Sequence, residues 1–336
     1  MFPFYQHMCK NQELFLLVAR GAQGEVRGIA PLVLRRERII TENTFLEFIG
    51  QRQSYYLGVI ANQDACGDVY PAICDYVFEN RRKWDAISLA NLANDELLKE
   101  NMMEKARSHN CFWHEEIRNP CKVVRLGASF DAYISSLDPH IAKKLKYCRR
   151  SMDRDHVVET TMPADEQSLN AYWRAFLELH QSRVRSKCQT TIFANHAFQE
   201  FSYSVVRAAY AEGNLRLVAL KLDDEIRAVL FGVVWNKTFY FLNIGYKELS
   251  KYSLGHMLPV LCIEAAICSG LERFDFMGGG GEYKERLGGV DQGGMCLRAM
   301  KPTAFAESAA RKAAEAVVKR VFRGRSESRT KRVGAQ

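Results

Sequence analysis

The sequence lacks an apolar run long enough to cross a membrane. The apolar stretch at 14–19 has only six residues and follows Glu13, whereas a signal peptide needs a cationic start and a longer apolar core. The most apolar helical segment, 257–267, is interrupted by Glu264 and falls well short of the ~20 residues that span a bilayer. We therefore expect a cytoplasmic protein that is at most peripheral to a membrane.

Paired cysteine motifs are also missing. The ten cysteines include no CxxC pair and are widely spaced, which argues against a zinc site or a redox-active disulfide. Free Cys behaves as a small hydrophobe in a reducing compartment. We therefore expect no metal and mostly buried free thiols.

The body of the chain has no excess of charge of either sign. The net charge of +8 comes from 47 Lys and Arg against 39 Asp and Glu, and residues 298–336 hold 11 of the basic and three of the acidic residues. Subtracting this tail leaves 36 residues of each sign in 1–297. Since a nucleic-acid-binding module carries its positive patch on the folded domain, we expect no DNA partner.

The 336 residues suffice for about two domains. The apolar pattern of the first third predicts a small α/β unit with strands at 14–20, 28–35, 44–49 and 85–89 and a helix at 69–82. A second unit is predicted with helices at 168–182 and 197–211, strands at 215–222, 226–235 and 238–246, a helix at 256–269 and a strand at 273–277. Polar turns join its first three strands and predict an antiparallel meander.

A basic amphipathic pattern lies between these units. Residues 129–154 predict two helices divided by Pro139, and the second carries cations from Lys143 to Arg150. These cations could hold a phosphate-bearing ligand or form a solvated helix face. We place the domains at 1–125 and 126–302. Residues 303–336 are expected to form a basic helix (303–323) and a disordered end, with contact to anionic lipid as one option.

The end of the meander offers a candidate anion site. The strand at 238–246 leads through a loop into a helix, and the first N–H groups of a helix and its dipole attract anions. The loop pattern is Lys251-x-x-x-Gly255-His256. The order of strand, loop and helix resembles the acyl-CoA site of the GNAT superfamily of acyltransferases, whose loop has the pattern Arg/Gln-x-x-Gly-x-Gly/Ala.

A longer resemblance surrounds this loop. It comprises 180–183, 213–217, Ala228, 245–246, Ser253-x-Gly255-x-x-Leu258, 274–278, Tyr283-Lys284 and Gly288. In order and spacing these segments are similar to the CelD/BcsL-like family of GNAT-type acetyltransferases, which are associated with bacterial cellulose and exopolysaccharide synthesis. They are more distantly similar to the Fem peptidyltransferases, which use two GNAT-like lobes and aminoacyl-tRNA.

The resemblance covers roughly residues 13–301 and implies an α/β (α+β) fold. Two GNAT-like lobes are expected, each a mixed, largely antiparallel sheet flanked by helices. Only about a dozen residues precede the first strand, fewer than is usual in the family. We therefore expect a shortened first lobe or a natural start other than Met1.

The resemblance also implies a site for acyl transfer from acetyl-CoA or another acyl-CoA to an amino or hydroxyl group. Such a reaction needs a base, oxyanion donors and an acid for the leaving thiolate. The catalytic candidates are Tyr283 as the acid, Asp275 and His180, although Asp275 could equally pair with Lys284 or Arg183. Substrate-binding candidates are Arg183 and Lys284, and cofactor-binding candidates are Lys251, Ser253, Leu254, Gly255 and His256.

Two alternatives remain open from the sequence. The donor could be an aminoacyl-tRNA, as the two-lobe layout and the basic helix suggest, although the neutral body argues against it. The protein could also be a non-catalytic component of a polysaccharide synthesis system, because the loop has a single glycine, the first lobe is short and the tail is basic. The run Gly278–Gly281 could be a mobile cover over the cleft or a plain loop.

Overall fold

The computed structural model describes residues 12–38, 41–93, 95–279, 281–311 and 313. The chain divides into two compact units. Among the described residues, the first unit combines 12–118 with 295–311 and 313, and the second is formed by 119–294. Each unit has its own sheet and its own apolar core.

The first unit is a mixed sheet packed against two helices. Its strands and helices are β1 (Gln12–Arg20), β2 (Val26–Arg38), β3 (Glu42–Phe48), β4 (Ile60–Ala61), α1 (Cys66–Glu79), β5 (Ala86–Leu92), α2 (Glu96–Ser108), β6 (Phe112–Ile117) and, late in the chain, β14 (Met295–Met300). The strand order is β1-β2-β3-β5-β14-β6, with β4 on β2. Alternation along β1 buries Phe15 in the core beneath α1, because successive strand side chains point to opposite faces.

The second unit has a seven-stranded sheet with helices on both faces. Its elements are β7 (Cys121–Arg125), α3 (Phe130–Ser136), α4 (Pro139–Asp155), β8 (Val158–Thr161), α5 (Glu166–Ser186), α6 (His196–Ala211), β9 (Leu215–Leu222), β10 (Glu225–Trp235), β11 (Thr238–Tyr246), α7 (Leu254–Cys268), β12 (Arg273–Asp275), α8 (Glu282–Arg286) and β13 (Val290–Gln292). The strand order is β13-β7-β12-β11-β10-β9-β8. Two separate apolar clusters lie in this unit, and α7 packs in the larger one while α5 packs in the other.

The predicted meander is confirmed, and the bounds of β9 and β11 are those predicted. Its tight turns hold Asp223 and Asp224, then Asn236 and Lys237, all with positive φ. These φ values are those of the turns that match the twist of paired strands. Pro139 opens α4 as its first residue, with Asp138 as the N-cap, so the predicted break between α3 and α4 is also confirmed.

The domain boundaries differ from the predicted ones at 125 and 302. Strand β7 pairs with β12 and β13 and therefore belongs to the second unit. Strand β14 inserts between β5 and β6 and therefore belongs to the first unit. The boundaries lie instead at 118/119 and 294/295. These pairings join segments distant in sequence, which local patterning does not reveal.

Residues 302–311 are helical, as expected for the start of the basic tail helix. The rest of that predicted helix, apart from residue 313, and the predicted disordered end with its lipid contact lie outside the described residues. None of the described helices is both long and apolar enough to cross a membrane. None of the nine described cysteines forms a disulfide, and six of them are buried.

Candidate active site

A fork opens between two parallel strands of the second unit. Strands β11 and β12 pair in parallel only from Thr238↔Arg273 to Tyr240↔Asp275. Strand β11 then continues to Tyr246, so residues 241–246 have no partner on β12. Helix α7 connects the two strands and begins beyond the carboxyl end of β11. Crevices at the carboxyl ends of parallel strands are the usual ligand sites of such sheets.

The first turn of α7 lies at this fork. Ser253 adopts a left-handed conformation (φ 50°) as the N-cap, and its side chain does not cap the helix. The N–H groups at the start of a helix have no intrahelical acceptor. Gly255 lies so close to Tyr246 that a Cβ atom there would be 2.5 Å from Cζ of the phenol. The N–H groups of Ser253 and His256 donate to the carbonyl oxygens of Leu249 and Ser253. Within the predicted segment, the N–H groups of Leu254 and Gly255 are therefore the ones without a backbone acceptor among the described residues, and they lie beside the Tyr246 ring.

Two cations approach this helix terminus. A small cavity of ≈ 40 Å³ is lined by Ser253 and His256 together with Lys144 from α4 and Arg286 from α8. Burial lowers the pKa of His256, and the charges of Lys144 and Arg286 lower it further. His256 is therefore a neutral imidazole at pH 7, and neither of its ring nitrogens bonds to a described residue. Arg286 was not predicted as a site residue, and Lys144 was predicted only as part of a basic helix.

Arg183, Tyr246 and Tyr283 converge beside the same turn. The Arg183 guanidinium lies 5.1 Å from the centre of the Tyr246 ring. Its Nε atom is buried and has no hydrogen-bond partner among the described residues. The Tyr283 ring contacts those of His256 and Phe276 at 5.7 and 6.1 Å. An unsatisfied buried donor in a native protein calls for an explanation, and a polar ligand at the fork would supply its acceptor.

Burial governs the acidity of Tyr283. It raises the pKa of the phenol to about 12, although the nearby charge of Arg183 acts in the opposite direction. The phenol makes no hydrogen bond within the described part of the chain. Tyr283 therefore stays protonated across the neutral range and has a hydrogen to donate to a ligand.

Unlike the Tyr283 phenol, the His180 ring has both of its nitrogens hydrogen-bonded within the protein. It is buried, its Nδ1 donates to the carbonyl oxygen of Ile244 (3.2 Å), and its Nε2 accepts from the hydroxyl of Thr191 (2.9 Å). Since a carbonyl can only accept, the neutral ring must carry its hydrogen on Nδ1. Nδ1 thus joins α5 to β11, and Nε2 joins α5 to Thr191 in the segment that follows it. The arrangement favours a positioning role for His180, one turn before Arg183, over the predicted catalytic one.

Asp275 and Lys284 are both buried and hold a turn at the end of β12. An oxygen of Asp275 accepts from the backbone N–H of Met277 (2.6 Å), and Met277 has a left-handed φ of 58°. The Lys284 ammonium donates to the carbonyl oxygens of Gly278 (2.7 Å), Met277 (3.3 Å) and Gly279 (3.4 Å). Burial lowers the Lys284 pKa to about 8, with the charge of Asp275 opposing the shift. Lys284 thus binds protein carbonyls, which leaves the predicted substrate contact without support.

Lys251 belongs to a network of hydrogen-bonded polar side chains just before α7. Its ammonium pairs with Asp155 (2.6 Å), which also accepts from Tyr252 (3.1 Å). Because the Tyr252 hydroxyl donates to Asp155, it accepts a hydrogen bond from Nε2 of His156 (3.1 Å). The Nδ1 atom of His156 bonds to Asp223. Hydrogen bonds from Arg154 and Lys251 hold the pKa of Asp155 far below its usual range. This network fixes the loop that positions Ser253, so Lys251 acts on the site through the loop.

Substitution of Gly245 tests the close packing of the α5 backbone on β11. A Cβ atom at Gly245 would lie 2.6 Å from the carbonyl oxygen of Phe176 and 2.7 Å from the backbone nitrogen of His180. Because backbone cannot rotate away, Gly245→Ala should lower the free energy of unfolding by about 3 kcal/mol. Gly127→Ala, where no atom lies within 4 Å of the added Cβ, is the matched control. Urea unfolding measures the free energy of unfolding of both variants. Equal values for Gly245→Ala and Gly127→Ala would contradict the close packing of α5 on β11.

Known proteins supply an independent comparison for this geometry. Residues 140–285 match a family model described as an acetyltransferase (GNAT) domain. They have a GNAT acyltransferase fold. This span contains the fork, α7 and Tyr283, and the fold class predicted from the sequence, with two GNAT-like lobes, is confirmed.

Solved structures resemble the chain over most of its length. FemX has a TM-score of 0.58 at 11% identity and covers 88% of this chain and 89% of its own. A conserved protein of unknown function from Bacteroides thetaiotaomicron has a TM-score of 0.54 at 10% identity, covering 89% and 88%. L-PGS from Bacillus licheniformis has a TM-score of 0.52 at 8% identity, covering 93% and 95%. At these identities the likeness concerns the fold alone. No curated protein sequence matches the chain.

The GNAT fold explains which parts of the site local sequence could reveal. Gly255, His256 and Tyr283 belong to motifs quoted for the resemblance, whereas Arg286 follows Tyr283 by three residues and reaches α7 only through the fold. In the part of the chain that the structure describes, no group of three or more His, Cys, Asp or Glu residues is arranged to hold a metal.

Proposed function

We propose that this protein transfers an acyl group from an acyl-CoA to an amino or hydroxyl group. The observation that carries the proposal is the first turn of α7 at the β11/β12 fork, flanked by Lys144, Arg286 and the unbonded phenol of Tyr283. Helix N-termini with nearby cations bind phosphates. The acceptor belongs, on the resemblance to CelD-like proteins, to cellulose, exopolysaccharide or cell-envelope precursors, and the reaction takes place in the cytoplasm.

The residues present fit an acyl-CoA. The free N–H groups after Ser253 and the cations Lys144 and Arg286 suit its phosphates. The buried Nε of Arg183 supplies a donor near Tyr246. When bound, the thioester supplies an activated carbonyl carbon and a thiolate leaving group.

The side chains at the fork supply the proton movements. His256 is neutral and accepts the proton that the attacking amine or hydroxyl loses. The phenol of Tyr283 donates a hydrogen bond to the departing sulfur. With a pKa of about 12 it is a weaker acid than an ordinary thiol, so it stabilises the thiolate without a complete proton transfer. Lys284 and Asp275 stabilise the turn that precedes Tyr283 and do not transfer a proton themselves.

The pH profile tests the role of His256. Because burial and two cations lower its pKa below the ordinary 6.5, kcat/KM should stay constant from pH 8 down to about 6.5 and fall only below that value. The His256→Gln protein should lack this acidic limb, whereas His196→Gln, at an exposed position on α6, should keep it. An acidic limb above pH 6.5, or one that persists in His256→Gln, would contradict the assignment.

Thermal unfolding with ligands tests the donor. Acetyl-CoA, a longer acyl-CoA or CoA at 100 times its dissociation constant should add ~2.7 kcal/mol of stability. Lys144→Gln and Arg286→Gln should each weaken this binding about tenfold, since each removes a charged hydrogen-bond donor. Lys143→Gln changes an exposed neighbour that does not line the cavity and serves as the matched control. The absence of a shift with all three ligands would remove acyl-CoA as the donor.

A second candidate donor is aminoacyl-tRNA. Lys143, Tyr147 and Arg150 are exposed and lie along one line of α4, with Lys146 beside them. None of the three cations pairs with a described acid. Cations flanking an exposed aromatic ring suit single-stranded nucleic acid, and FemX shares the fold. The neutral body of the chain places this donor second.

Salt dependence separates the two donors. If tRNA is the donor, its affinity should fall by more than tenfold between 50 and 200 mM salt, as phosphate contacts release counterions. The triple variant Lys143→Gln, Lys146→Gln, Arg150→Gln should bind more weakly and with a smaller salt slope. If acyl-CoA is the donor, that variant should keep the thermal shift of the wild type.

A further inference from the structure

A second cavity lies under the opposite end of α7. It has a volume of ≈ 370 Å³ and is bounded by the last two turns of α7, by β8 and by the sheet face at Val218 and Phe239. Small-molecule sites typically have 300–1,000 Å³. Gly255 and Ala265 are ten positions apart on α7, which corresponds to ~15 Å along the helix. This cavity is therefore separate from the fork.

The apolar character of α7 accounts for the cavity walls. The helix is apolar on nearly all sides, with Glu264 as its acidic residue, and such a helix is normally covered all round. Its core side buries Met257, Leu258 and Ile263. The side with Leu261, Ala265 and Ser269 lines the cavity instead, and Ala265 and Ser269 are exposed. Small side chains along this wall leave the space that a larger residue would fill.

One cation stands in this otherwise uncharged lining. Arg216 of β9 reaches the cavity, and its Nη1 donates to the carbonyl oxygens of Leu215 (2.8 Å) and Gly213 (3.2 Å). Among the described residues that line the cavity none is acidic, and no described carboxylate pairs with Arg216. The carbonyls fix one nitrogen and leave the rest of the guanidinium to an anion, for which its planar fork suits a carboxylate.

We propose that this cavity binds an amphipathic carboxylate, with its apolar chain between α7 and the sheet and its carboxylate on Arg216. The charge complementarity decides for a carboxylate over an uncharged or cationic amphiphile. The site does not depend on acyl transfer, since no residue of the fork lines it.

Calorimetric titration of the full chain with decanoate, decanol and decyltrimethylammonium, each below its micellar concentration, tests the proposal. Decanoate should bind saturably at one site, and decanol should bind about tenfold more weakly because it lacks the charged hydrogen bond. Decyltrimethylammonium should bind more weakly still. Equal binding of decanoate and decanol, or no saturable binding of decanoate, would overturn the proposal.

Two pairs of variants locate the ligand. Arg216→Gln should bring decanoate down to the affinity of decanol, and Arg216→Lys should recover part of the difference. Ala265→Phe should fill the cavity and weaken both ligands at least tenfold, whereas Ala265→Ser should bind like the wild type. Because Ala265 is exposed, the Phe variant should unfold at the wild-type temperature and keep its response to acyl-CoA. Undiminished decanoate binding by folded Ala265→Phe would overturn the site.

Discussion

The Tyr283→Phe protein is expected to turn over acyl-CoA about 10²-fold more slowly than the wild type, with an unchanged melting temperature. A hydrogen bond to a developing anion in a buried site contributes most in the transition state, and removing one such donor typically costs 10²–10³ in kcat. The phenol makes no hydrogen bond within the described part of the chain. Its removal therefore leaves no protein acceptor unpaired, and the fold should tolerate it.

The leaving group provides a control that a structural defect would not mimic. An acyl thioester of a thiol several pKa units more acidic than CoA releases a stable thiolate that gains little from a donor. With that substrate the Tyr283→Phe protein should approach the wild-type rate. Tyr147→Phe, at an exposed position of α4, should match the wild type with both substrates. An equal loss with both thioesters would contradict the role of Tyr283 at the sulfur.

The parts of the fold that the sequence predicts well are those encoded locally. Both tight turns have the positive φ that such a hairpin requires, at Asp223, Asp224, Asn236 and Lys237. The turn residues in the sequence therefore predict both turns and the bounds of the strands that they join. Strands β6, β7 and β14 were not predicted, because each is short and its partners lie far away in the chain. The sheet to which such a strand belongs depends on its pairing with strands far away in the sequence. Local periodicity does not predict that pairing.

The candidate site shows the same division at the level of side chains. The fold places Arg183, His256 and Tyr283, which were selected from sequence motifs, beside one fork. The motifs do not distinguish a side chain that faces a ligand from one that holds the backbone. His180 and Lys284 carry reactive groups, but their hydrogen bonds to Ile244, Thr191 and the 277–279 carbonyls use them within the fold. Burial and partner geometry decide this question, and neither is visible in composition or spacing.

Lys284 is expected to make the stability of the protein rise with pH in the alkaline range. Its pKa is about 8 in the folded state and about 10.5 when unfolded. Between these values the unfolded chain binds more protons than the folded one, so the free energy of unfolding increases with pH. The contribution of Lys284 is fully present above pH 10.5 and is lost as the pH falls through 8. A shift of this size corresponds to about 3 kcal/mol.

Comparison with Lys284→Met isolates this contribution from other titrating groups. The difference in free energy of unfolding, wild type minus Lys284→Met, should grow through pH 8–10.5 in urea titrations. The groups whose charges act on the ammonium are Cys121, Asp275 and Lys122, and all three are present in both proteins. Lys146→Met, on the exposed face of α4, should differ from the wild type by a constant amount. If the Lys284→Met difference were also constant, the pKa of Lys284 would be the same in the folded and unfolded states, and its ammonium would be solvated and not buried in the 277–279 turn. Lys284 would then be free for the substrate contact that its sequence motif suggested.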